Sequence, residues 1–158
     1  MNRYEHLARL LSFDDWANRE LLTALQARPD PAAVRAFAHL VSTQFLWQDR
    51  VAHRPLSTPF WPDWDIRECA LRLDMARNGW RNFLRGLDSA ALDTTIRYVN
   101  TKGSYYTSTL GDVISHVLFH GAHHRGQVAA ALRAAGAEPP TTDFIHAVRT
   151  DALGPGGD

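Results

Sequence analysis

His116-Val-Leu-Phe-His120-Gly-Ala-His123-His124-Arg125-Gly-Gln127 holds four of the chain's eight histidines within nine residues. On a helix, residues four apart lie about 40° apart on the surface and one turn (~5.4 Å) along the axis. His116, His120 and His124 therefore climb one face, and Gln127 continues it. Val117, Leu118, Phe119 and Ala122 make the segment largely apolar, so the helix is expected to be buried, and buried imidazoles need partners. Two imidazoles one turn apart can share a first-row metal ion. The spacing alone leaves both His116/His120 and His120/His124 open as the ligand pair. In the His-Glu-x-x-His arrangement of zinc proteases the Glu is the general base; here Gly121 fills that slot, so a protease reading loses its base.

Upstream of this helix the texture changes. Thr95-Ile-Arg-Tyr-Val and Ser104-Tyr-Tyr-Thr-Ser are rich in β-branched and aromatic residues, with Asn100-Thr-Lys-Gly103 between them. That pattern predicts a short hairpin leading into a helix that begins near Leu110 or Gly111. Gly136 marks its stop. A last short helix is expected over about Asp143 to Thr150, and a disordered tail over 152–158.

Earlier in the chain the 3.6-residue period gives three more helices. Arg3 to Ala27 carries Leu7, Leu11, Leu21 and Leu25 on one stripe, with Asp14 and Asn18 in the same stripe. Two polar side chains there place themselves either at the helix edge or inside, where they would orient a histidine ring from behind. A second helix runs from Ala32 to about Ala52, with Pro31 at its start. Phe37, Leu40, Val41, Gln44, Phe45 and Gln48 form its broad face, and His39 lies to the side among Ala32, Ala36, Thr43 and Leu46. Two ligands from one helix rarely suffice for a metal, which makes His39 a candidate third. Pro55 to Asp65 is a proline- and aromatic-rich connection whose Phe60, Trp61 and Trp64 either cap a pocket or seal the bundle end, the second being the simpler expectation. Asp65 and Glu68 read as a capping pair for a third helix, to about Leu87, burying Leu73, Ala76, Trp80, Phe83 and Leu84.

The 158 residues fit one domain, taken as 1–151. Lys plus Arg equals Asp plus Glu, at 17 each, which argues against a general polyanion binder and so against nucleic acid as partner. The single cysteine, Cys69, excludes an internal disulfide and a multi-cysteine zinc site, and fits a reducing cytoplasm. No signal core or membrane-length apolar run is present, so no membrane partner is expected.

Taken together, the chain resembles the DinB-like (DinB/YfiT-like) family of metal-binding four-helix bundles, named for damage-inducible bacterial genes. The resemblance is carried by His120-Gly-Ala-His123-His124-Arg125-Gly126-Gln127 followed by Leu132-Arg133-x-x-Gly136 and Pro139. Phe13-Asp14-x-Trp16-Ala17-Asn18 is similar to the first-helix pattern, usually Tyr-Asn-x-Trp-Ala-Asn. His39-x(4)-Gln44-x(2)-Trp47-x(2)-Arg50 is similar to the second-helix pattern, where Glu is common at the Gln44 position. The resemblance implies an all-α, up-down-down-up four-helix bundle with a hairpin before the fourth helix and a short C-terminal helix. It also implies a divalent metal held by His39, His120 and His124; imidazole suits zinc, nickel, iron and copper alike, with zinc or nickel the first expectation. His116 and His123 then become supporting, pocket or surface residues, and Asp14, Asn18 and Gln127 supporting or pocket residues.

Relatives in that family include enzymes that use a low-molecular-weight thiol for S-transfer or isomerisation. The expected function is therefore a metal-dependent enzyme. It would be an S-transferase joining an exogenous thiol to an electrophilic substrate, or a hydrolase using metal-bound water. The competing expectation is a stress-related metal-binding protein without catalysis, and an open or closed coordination site separates the two. The family also implies a homodimer. Asp14 is the acidic candidate for proton transfer, and Arg125 and Arg50 are candidates for holding an anionic group, although a solvated surface role is the simpler expectation for both.

Overall fold

A computed structural model of the chain describes residues 1–154. The helices are α1 (Arg3–Ala27), α2 (Pro31–Val51), α3 (Ile66–Leu84), α4 (Leu110–Ala134) and α5 (Phe144–Arg149). A single 3₁₀ turn, Ala91–Asp93, and a hairpin of β1 (Thr95–Val99) and β2 (Tyr105–Thr109) precede α4. No helix among the described residues is long and apolar enough to cross a membrane.

Local chemistry sets these boundaries. Asn2 accepts the Glu5 amide at 2.9 Å while Glu5 accepts the Asn2 amide at 2.8 Å, a reciprocal cap that starts α1. Asp30 caps α2, with Pro31 in the first turn where its missing N–H goes unneeded. Asp65 accepts the Glu68 amide and starts α3, but Glu68 does not return the bond; its carboxylate pairs with Arg72 at 2.6 Å. α3 stops at Leu84, short of the expected Leu87, because Gly86 takes a left-handed φ of 83°. The strands pair antiparallel from Thr95↔Thr109 to Val99↔Tyr105, and the Asn100 side chain accepts the Lys102 and Ser104 amides to close the turn. Thr109 ends β2 and caps α4 by accepting the Asp112 amide. Asp151–Leu153 turn back onto α5, with the Ala152 amide on the Ala147 carbonyl at 3.0 Å. Residues 155–158 of the expected tail lie outside the described residues.

Two apolar clusters fix the topology. One joins Leu21 and Leu25 at the end of α1, Phe37 and Leu40 at the start of α2, Cys69 and Leu73 at the start of α3, and Val128 and Leu132 at the end of α4. The other joins the start of α1, the ends of α2 and α3 (Val51, Trp80, Leu84) and the start of α4 (Leu110, Val113, Ile114). α1 and α4 therefore run one way and α2 and α3 the other, the up-down-down-up order. α2 packs mainly on α4 and α3, while α1 packs on α4 and α3 and barely meets α2, so α1 and α2 are diagonal. Each fully buried Leu or Phe in these clusters contributes roughly 1.5–3 kcal/mol.

Between the clusters lies a polar layer fed by all four long helices. Asp14 and Asn18 of α1 are buried there, which decides for the interior over the helix edge. Asp14 pairs with the Arg125 guanidinium of α4, and Asn18 accepts from the same Arg125 nitrogen at 3.0 Å. Asn18 and Gln44 each donate to the other Asp14 oxygen at 3.0 Å, and Trp80 of α3 donates to Gln44 at 2.6 Å. This layer also explains Gly121. A Cβ there would stand 2.5 Å from Asp14 Oδ1 and 3.1 Å from Arg125 Nη1. Gly121→Ala gains about 1 kcal/mol of helix propensity and loses about 1–3 kcal/mol by overpacking, with a fixed ion pair as the neighbour that must move. The expected outcome in urea unfolding is a less stable protein; a stabilised variant would show that the ion pair yields freely.

Candidate metal centre

α4 presents His120 and His124 one turn apart toward α2, and α2 presents His39 toward them. The three rings offer nitrogens that all lie within 4.8 Å of one another. Their centroids are 4.3 Å (His120–His124), 4.5 Å (His39–His124) and 5.5 Å (His39–His120) apart. Of the two pairs that the spacing left open, His120/His124 is the one joined by His39. Among the described residues no other histidine, cysteine or carboxylate joins this group.

Hydrogen bonds at the back of two rings choose their tautomers. His39 Nδ1 donates to the Phe60 carbonyl at 2.5 Å, and His124 Nδ1 donates to Gln127 Oε1 at 2.7 Å. Each leaves Nε2 as the free lone pair, the arrangement that a metal-binding imidazole requires. His120 Nε2 is buried and has no hydrogen-bond partner. A buried ring nitrogen left bare is costly unless something accepts its lone pair or takes its proton. The charge state agrees. Burial lowers the pKa of His39 and His124 below the usual histidine value, against the opposing pull of Phe60 and Gln127. Burial, with the four neighbouring histidines, pushes His120 down to about 4. Neutral imidazoles are what a divalent cation binds, and the donor set fits such an ion.

These shifts also set how the metal-free fold responds to acid. The unfolded chain has histidines near 6.5 and the folded chain holds His39, His116, His120 and His124 below it. Between those values the unfolded state binds more protons, so stability is full above about pH 6.5 and is lost as pH falls through the folded values. The metal-free melting midpoint should drop by several degrees from pH 7 to pH 5; a flat profile would show that these rings protonate in place without strain.

The centre faces a cavity of about 870 Å³ lined by His39, His116, His120, Trp47, Arg50, Phe60, Trp61 and Tyr98. His116 lies edge-on to Trp47 at 4.9 Å and stacks near His120 at 5.5 Å, outside the triad. His123 is exposed and meets Gln127 Nε2 at 3.0 Å, so Gln127 bridges His123 and His124. Trp61 stacks on His39 at 3.8 Å and stays half-exposed, and Phe60 supplies the His39 acceptor. Of the two roles open to the loop aromatics, Phe60 and Trp61 take the pocket one and Trp64 packs on the core. The Pro-flanked sequence gave no signal for the His39 stack, because a loop's contact depends on where its chain returns.

Asp14 and Asn18 do not orient a histidine ring. Their partner is Arg125, one residue beyond His124 and therefore about 100° around the helix. This corrects both the supporting role expected for Asp14 and Asn18 and the reading of Asp14 as an available base. Arg125 is 4% exposed and neutralised, so it is neither a surface residue nor an anion site. Cys69 is buried in the core and burial pushes its thiol up to about 12, as a non-nucleophilic residue requires.

A model of the DinB family matches residues 2–152 of the chain. No curated protein matches it.

Proposed function

Because this chain belongs to the DinB family, we propose that it is a metal-dependent enzyme of small-molecule chemistry whose ion is held by His39, His120 and His124. The observation that carries this reading is the geometry of the triad. Three neutral imidazoles converge, no fourth protein ligand joins them among the described residues, and two of the three line a cavity. A closed site with four protein ligands is the structural pattern; three ligands and an open side is the catalytic one. Zinc or nickel suits an all-imidazole set.

Bound there, a divalent ion supplies Lewis acidity, lowering the pKa of a thiol or a water molecule at the open side. The chain's own residues do the rest. Phe60 and Gln127 fix the tautomers of His39 and His124, and Trp61 shields one ring face from water. Cys69 is buried in the core and unionised, so in an S-transfer the nucleophilic sulfur would come from outside, from a low-molecular-weight thiol that attacks an electrophile. Hydrolysis is the second enzymatic reading. Metal storage without catalysis is the alternative from another class, and the open cavity weighs against it.

Metal analysis of untagged protein, followed by a screen of small thiols against electrophilic acceptors, tests the proposal. One equivalent of metal and thiol-dependent turnover is the expected result. Metal without turnover of either kind would move the non-catalytic reading ahead, and metal-free protein that binds no added zinc or nickel would end the metal reading.

A further inference from the structure

Arg50 is a buried cation that nothing described so far uses. It follows His39 by eleven residues, three helical turns, so it stands on the same stripe of α2 about 16 Å further along. It lines the same cavity as His39 and His120. Its side chain is only 9% exposed. The guanidinium carbon lies 4.6 Å from the Trp47 ring centroid and 5.9 Å from those of Phe60 and Tyr98. Among the described residues its Nε is buried without a hydrogen-bond partner, and Arg50 makes no ion pair.

The chain's other buried arginine shows what a structural role looks like. Arg125 is matched by the Asp14 carboxylate and by Asn18. Around Arg50 the carboxylates are already engaged. Asp49 points to the Ser57 amide (2.8 Å), the Ser57 hydroxyl (2.6 Å) and Arg54 (3.2 Å). Asp112 accepts from the Thr109 hydroxyl at 2.8 Å at the start of α4. Aromatic faces stabilise a cation but do not use its N–H donors. A planar guanidinium with free donors, held against rings at the wall of a cavity, is built to take an oxyanion.

We propose that Arg50 is the anion-binding end of this cavity, holding the carboxylate or phosphate of a small molecule whose other end reaches the His39–His120–His124 centre. The second half of that statement rests on the metal reading above; the first half does not. The substrate, or the thiol that serves it, is then a small acid. Arg50 would fix its orientation and select against uncharged analogues.

The test separates the two halves. Metal-free protein labelled with ¹⁵N is titrated with succinate, inorganic phosphate and uncharged succinamide, following arginine Nε–H resonances and heat. Saturable one-to-one binding of succinate or phosphate, a shift of a single arginine resonance and no response to succinamide are expected. Whichever anion binds more tightly assigns the group as carboxylate or phosphate. Arg50→Met should weaken that binding by roughly tenfold or more, and Arg50→Lys should keep part of it. The succinate–succinamide contrast in the unaltered protein needs no variant to fold. Absence of saturable binding of both anions, or unchanged affinity in a folded Arg50→Met, would overturn the assignment.

In a second arm, cobalt-loaded protein is titrated with mercapto acids of three to eight carbons and with the mercapto alcohols of matching length, read by the visible absorption. Tighter binding of the acid than of its alcohol at one or more lengths, with the preference lost in Arg50→Met, supports the shared cavity. Equal affinities of acid and alcohol at every length in the unaltered protein would overturn the link to the triad. A protein that binds succinate but takes up no cobalt would refute the metal reading and support Arg50 as an anion site.

Discussion

Alanine at His120 or His124 should abolish tight zinc or nickel binding, and alanine at His39 should weaken it severely. Removing an outer partner of a metal ligand costs roughly 10–100-fold in affinity, and removing a ligand itself costs more. The structure therefore orders a series. His39, His120 and His124 offer nitrogens within 4.8 Å of one another, so each single alanine should lower affinity well over 100-fold. Gln127 only fixes the tautomer of His124, so Gln127→Ala belongs in the roughly 10–100-fold class. His123 touches Gln127 at the surface and His116 lies beyond the triad, so alanine at either should change affinity little. Competition with a chromophoric chelator at pH 7.5 measures the whole series. A His39→Ala protein with unchanged affinity, or His116→Ala as damaging as His120→Ala, would remove the triad and restore His116/His120 as the pair.

Much of this arrangement was legible in the sequence because it is local. A hydrophobic period of 3.6 residues, Pro31 and Asp65 at helix starts, and Gly103 and Gly136 at turns each act within a few residues. The elements they define match the reading closely, hairpin included. The His120/His124 pair is local too, since one helical turn brings it together. His39 stood in the sequence only as a candidate third ligand until the family resemblance singled it out, because its approach to α4 depends on how two helices pack. What escaped is long-range and polar. Asp14 and Arg125 are separated by more than a hundred residues, and no property of either alone says that they meet. A buried arginine looks like a surface arginine in a sequence; only burial and the presence or absence of a partner divide Arg125 from Arg50. Trp61 likewise reads as a sealing or a pocket-capping aromatic until the loop from α2 to α3 is seen to fold back over His39.

The Asp14–Arg125 pair carries the largest expected effect on stability. Both side chains are about 95% buried, and one end of the pair cannot be removed without stranding the other. Breaking such a pair typically costs about 3–5 kcal/mol. Asp14→Asn and Arg125→Met should each lose that much in urea unfolding of the metal-free protein. Gln44 of α2 reaches the same carboxylate, donating to Asp14 at 3.0 Å. A carboxylate moved to position 44 would therefore stay within one hydrogen-bonded layer. Asp14→Asn combined with Gln44→Glu keeps one negative charge beside Arg125, still able to accept from Trp80, and should recover more than half of the loss. The pH dependence gives an independent check. Burial raises the Asp14 carboxyl above its usual value, while Arg125, Asn18 and Gln44 pull it back. Without Arg125 that pull is lost and the folded-state pKa rises further. The folded variant then binds a proton that the unfolded chain releases, so its stability falls as pH rises. The deficit of Arg125→Met relative to the unaltered protein should therefore be larger at pH 8 than at pH 5; the histidine contribution is common to both proteins and cancels. A deficit that is the same at both pH values, with no rescue by the double exchange, would mean that packing around Arg125 holds the four helices together and its charge does not.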